Sequence, residues 1–85
     1  MKKKITIELK MFMKFRKYLP ADSSDGKAMI SLEEGSTLEG LLKILSVPDD
    51  EHRIVVINGI SQGMDSSQVL NAGDVVAFFA PVAGG

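Results

Sequence analysis

Apolar and polar residues alternate at the start of the chain. Ile5, Ile7, Leu9 and Met11 fall on one side, Thr6, Glu8 and Lys10 on the other. A period of two predicts a strand over residues 3–11 with one wet face. Phe15, Tyr18 and Leu19 then recur at helical spacing and Pro20 follows, so a short helical turn is expected over Met13–Pro20. Residues 21–27, ADSSDGK, read as a loop by composition. A second strand is expected at Ala28–Glu33, with Ile30 and Leu32 facing the core.

The strongest helix signal comes next. Ser36-Thr37-Leu38-Glu39 spells a capping box, in which Ser36 accepts from the backbone three residues on and Glu39 reaches back. Leu38, Leu41, Leu42 and Leu45 follow as one apolar stripe, and Pro48 ends the segment. Gly40 sits inside this pattern at a cost of ~1 kcal/mol against alanine, which suggests close packing there. Arg53–Asn58 reads as a third strand, apolar on both faces, closed by the tight-turn pair Asn58-Gly59. A short strand near Ile60–Met64, polar turns at DSSQ and Asn71–Asp74, and a last strand over Asp74–Ala80 complete the order. One helix covers only one face of a sheet, so the expected class is two-layer α+β: four to five strands packed on one main helix.

Composition narrows the possibilities. Eighty-five residues make one domain, expected over 1–85, and 45% hydrophobic residues can build one core. A net charge of −1 leaves no electrostatic footprint for nucleic acid. No run approaches the ~20 apolar residues of a membrane span, and the start lacks a signal-peptide core, so a cytoplasmic protein is expected. There is no cysteine, which removes disulfides, thiolate nucleophiles and cysteine–zinc sites.

Two motifs tempt and fail. Gly59-Ile60-Ser61-Gln62-Gly63 matches the G-x-S-x-G nucleophile elbow. Yet the chain's one histidine, His52, precedes the serine, so a hairpin turn is the better reading. Asp49-Asp50-Glu51-His52 could suggest metal ligands, but four consecutive residues between a helix and a strand read as a solvated loop. No catalytic residues, metal site or bound cofactor are expected.

The last eight residues, FFAPVAGG, differ from an ordinary terminus. A strand runs to Phe79, Pro81 blocks further ladder pairing, and Pro81-Val82-Ala83-Gly84-Gly85 can reach ~17 Å as a slim, flexible tail. Its tip offers the α-carboxylate of Gly85, which must be activated before it can accept sulfur or an amine. The last strand is apolar on both faces. By alternation Val76 and Phe78 face one way, and Val75, Ala77 and Phe79 the other, as a candidate partner-binding surface.

The runs EGSTLEGLLKIL, VVINGI and GDVVAFFAPVAGG together resemble the MoaD/ThiS sulfur-carrier family over nearly the whole chain. The resemblance implies a ubiquitin-like β-grasp fold. It also implies a ubiquitin-activator-like adenylyltransferase that uses ATP on Gly85, and a sulfur donor that makes the thiocarboxylate. The acceptor would be the large subunit of molybdopterin synthase or an analogous enzyme. The spelling of the tail is more similar to the molybdopterin-synthase small subunit than to the thiamine-pathway carrier, although Ala80 stands where many relatives carry proline. A modifier joined to lysines needs the same fold and tail, and a plain interaction module needs only the fold. The recipient of the sulfur and the oligomeric state stay open at this level.

Overall fold

The computed structural model describes residues 3–20, 23–48, 52–62 and 65–80. The elements are β1 (Lys4–Met11), a 3-10 helix (Met13–Tyr18), β2 (Lys27–Glu33), α1 (Leu38–Leu45), β3 (Ile54–Ile57), β4 (Ile60–Ser61) and β5 (Val75–Phe79). The strands form one sheet in the order β2-β1-β5-β3-β4. β1 and β5 run parallel at its centre, and the other pairs are antiparallel. α1 crosses between β2 and β3 and covers one face. This is the β-grasp architecture.

The core is what the alternation predicts. Ile5, Ile7, Leu9 and Met11 of β1 are buried with Val76 and Phe78 of β5, Leu32 of β2 and Val55 of β3. Leu38, Leu41, Leu42 and Leu45 close over them from α1. Phe15 of the 3-10 helix is fully buried and tilts against Phe78, with ring centroids 6.0 Å apart. Burying such side chains is worth about 1.5–3 kcal/mol each, which lets a chain this small hold together without staples.

Two expectations about α1 need correction. The N-cap is Thr37, not Ser36: its hydroxyl accepts from the Gly40 N–H at 3.2 Å. The reason is tertiary. Residues 66–70 lie along the helix entrance, where Leu38 N–H donates to the Gln68 carbonyl and Glu39 N–H to the Ser66 carbonyl, both at 2.9 Å. Leu70 N–H in turn donates to the Ser36 carbonyl at 2.8 Å, which holds Ser36 outside the helix. Gly40 is also not a close-packing glycine. A Cβ there would meet only Thr37 Oγ1, at 3.8 Å, an ordinary contact.

Turns behave as their residues demand. Asn58 and Gly59 both have positive φ, at 52° and 86°, and join β3 to β4. The Asn58 side chain ties this turn to the start of β5, donating to Asp74 Oδ1 at 2.9 Å and accepting from Val75 N–H at 2.8 Å. The segment expected to be loop up to Lys27 contains a second tight turn. Asp25 and Gly26 have positive φ, and Ser24 and Lys27 exchange two backbone hydrogen bonds of 2.9 Å. The DSSQ turn closes on Asp65, whose carboxylate accepts from the Ser67 N–H and hydroxyl; these bonds lower its pKa.

Two substitutions test the helix entrance by urea unfolding. Thr37→Ala should cost about 1 kcal/mol and Ser36→Ala only a few tenths; the reverse order would restore the Ser36 cap. Gly40→Ala should stabilise by roughly 0.5–1 kcal/mol, and a loss would mean that the position is crowded after all.

Candidate functional site

The face of the sheet away from α1 is where the polar half of β1's alternation emerges, and it is only partly polar. Three of its rungs reach from β1 to β5. At one end Phe12, just past β1, lies flat on Phe79, with ring centroids 4.6 Å apart and planes within 4°. Phe12 N–H donates to the Phe78 carbonyl at 3.1 Å, which carries the β1–β5 pairing one residue further and sets the two rings side by side. Ile54 pairs with Phe79 from β3. The middle rung runs Lys27, Lys10, Ala77, Val56 and Ser61 across all five strands. The third is Met29, Glu8 and Val75.

The expected surface residues occupy this face unequally. Phe79 is half-buried, because Phe12 covers one side of its ring, and Val75 is half-buried as well. Ala77, expected as a contact residue, is 8% exposed and forms the floor between Lys10 and Val56. More exposed apolar area comes from residues that sequence reasoning did not single out. Phe12 is 40% exposed, Ile54 39% and Met29 66%. A signal for Phe12 existed, since it continues an apolar strand end, but its partner Phe79 is distant in sequence. Met13 follows in the left-handed region, at φ 56°, and turns the chain away from the sheet. The charged groups on the face include Lys10 and Glu8, paired at 3.5 Å.

The other candidates do not assemble. Ser61 is a β4 residue opposite Val56, and His52 is exposed ahead of β3. Among the described residues no three His, Cys, Asp or Glu side chains gather to hold a metal. Asp49, Asp50 and Glu51 lie outside the described residues, as does Gly63. So do the tail residues Pro81, Val82, Ala83, Gly84 and Gly85; β5 ends at Phe79, beside the aromatic rung, and Ala80 packs against the core. Among the described residues no helix is long and apolar enough to cross a membrane.

The model of the ThiS family matches residues 17–85. The chain belongs to the ThiS family. Its members are small ubiquitin-like carrier proteins. A search of curated proteins returns no match. Solved structures agree on the fold. The Haloferax volcanii HVO 2177 protein superposes with a TM-score of 0.72 at 26% identity, over 96% of this chain and 88% of that one. A Pyrococcus furiosus protein named for molybdopterin converting factor, subunit 1, gives 0.68 at 24%, over 92% and 99%. The small archaeal modifier protein 1 of H. volcanii gives 0.69 at 23%, also over 92% and 99%. The β-grasp reading and the family resemblance both stand.

The Phe12–Phe79 stack can be weighed directly. A double-mutant cycle of Phe12→Ala and Phe79→Ala, read by urea unfolding, should give a coupling of about 0.5–1.5 kcal/mol. A coupling near zero would mean that the rings do not stack in solution.

Proposed function

We propose that this protein is a sulfur carrier whose Gly85 is adenylated by a ubiquitin-activator-like adenylyltransferase and converted to a thiocarboxylate. The observation that carries the reading is the family match, which extends through Gly85. We read residues 1–85 as one β-grasp unit with 81–85 as its working tail.

The chemistry follows from the terminal group. A carboxylate is ionised at neutral pH and is a poor electrophile. A Gly85 carboxylate oxygen attacks the α-phosphorus of ATP in the partner's site, and pyrophosphate leaves. The acyl carbon of the resulting adenylate then accepts sulfur at the sulfide level from a donor, and AMP departs with the C–O bond broken. The thiocarboxylate sulfur next attacks an electrophilic carbon of an acceptor held by a larger enzyme and displaces its leaving group. Water then cleaves the acyl C–S bond of the resulting thioester, which restores the carboxylate and leaves the sulfur on the acceptor. This chain contributes reach and fit: glycines at 84 and 85 present no Cβ to a narrow channel. It also contributes a docking face, with Phe79 and Val75 as contacts on the Ala77 floor. ATP is consumed by the partner and held there.

The spelling of the tail favours molybdenum or tungsten cofactor synthesis as the destination, with the large subunit of molybdopterin synthase as acceptor. Likeness to a small archaeal modifier protein supports a second reading, attack of a target lysine amine on the same adenylate. Thiamine synthesis is the other sulfur destination open to a ThiS-family chain.

Intact mass of the protein isolated from cells separates these. The account expects a species in which one oxygen is replaced by sulfur, lost when Gly85 is deleted. A ladder of larger conjugates without that species would favour the modifier, and an unmodified chain in both cases would contradict the carrier.

A further inference from the structure

The middle rung contains a conflict that folding does not explain. Lys10 and Lys27 are direct cross-strand partners, and like charges placed opposite each other destabilise a sheet. The 3.5 Å contact of Lys10 with Glu8 joins two side chains that are each about one-third exposed, so it offsets little. Lys27 is exposed, and Arg16 stands close behind it. Its Nε lies 3.6 Å from where a Cβ on Gly26 would be. Glu8 lies two residues from Lys10 and Asp25 two residues from Lys27. The whole chain is polarised in the same sense. Residues 1–27 hold eight of the ten Lys and Arg, while residues 28–85 hold eight of the eleven Asp and Glu. A shallow groove of about 270 Å³ opens beside the lysines, lined by Glu8, Ser24, Lys27, Ala28 and Met29.

Local rules are broken mainly where function requires it. Two ammonium groups, Lys10 in a solvent-screened pair with Glu8 and Lys27 exposed, lie next to an aromatic stack and form a composite surface, apolar at the Phe12–Phe79–Ile54 end and cationic beside it. We propose that this face is recognised by an acidic protein surface of the activating enzyme. A partner carboxylate would bridge Lys10 and Lys27 while an aliphatic or aromatic patch covers Phe12, Phe79 and Ile54. The net charge of −1 disfavours nucleic acid as the occupant. This inference rests on the sulfur-carrier reading, since that reading supplies the enzyme.

The test is ATP–pyrophosphate exchange by the ubiquitin-activator-like adenylyltransferase of the same organism, with this protein as the varied substrate. For the double variant Lys10→Gln/Lys27→Gln, KM should rise about tenfold, with the change falling on KM and not on kcat. Raising salt should raise KM for the unaltered chain and move the variant's KM far less. Lys10→Arg/Lys27→Arg should restore most of the affinity. Circular dichroism and urea unfolding should show the glutamine variant to be as stable as the parent or slightly more so. Exchange with KM unchanged within about twofold would overturn the bridging carboxylate and leave the carrier reading intact. No exchange with the unaltered chain would overturn both. Self-association of the unaltered chain that the glutamine variant abolishes would place a second copy on the face and also overturn the inference.

Discussion

The parallel pairing of β1 with β5 is the constraint on which everything else depends. These strands are distant in sequence, and bringing them together requires every other element to be placed. Their ladder sets Leu9 beside Val76 and Met11 beside Phe78 at the centre of the core. The same ladder, one pleat over, sets Lys10 beside Ala77 and extends through Phe12 to Phe79. It also fixes where β5 ends, and so where Pro81–Gly85 join the fold. The core, the candidate docking face and the origin of the tail are consequences of one register.

That register divides the work between the two faces of one strand. Val76 and Phe78 are buried under α1 and hold the fold. Val75 and Phe79, on the other side, are half-buried and leave apolar area uncovered at their rungs. Ala77 between them is small enough to keep the surface shallow, so the exposed aromatic edge stands at Phe12 and Phe79. An exposed aromatic edge of this kind is a surface that a partner can cover. Aromatic anchors near the centre of a patch carry most of the energy of such contacts.

Much of this was legible in the chain. The alternation of β1, the leucine stripe of α1 and the Asn58-Gly59 turn are local patterns, and local physics decides them. The errors lie where distant segments decide. Ser36 and Thr37 can both cap a helix; the choice falls to Thr37 because residues 66–70 occupy the entrance. The Asp25-Gly26 hairpin carried the usual dipeptide signal but was masked by a run of loop-forming residues. Phe12, Ile54 and the opposition of Lys10 to Lys27 depend on cross-strand register, which no single segment encodes. The burial of Ala77 within that face has the same origin, because its neighbours come from β1 and β3.

Backbone amide chemical-shift mapping on adding the unlabelled adenylyltransferase tests the division of the two faces most directly. The account predicts that shifts concentrate on Phe12, Ile54, Val75, Phe79 and the residues after Ala80, with Leu38–Leu45 unmoved. Shifts centred on α1, with the aromatic rung silent, would contradict it.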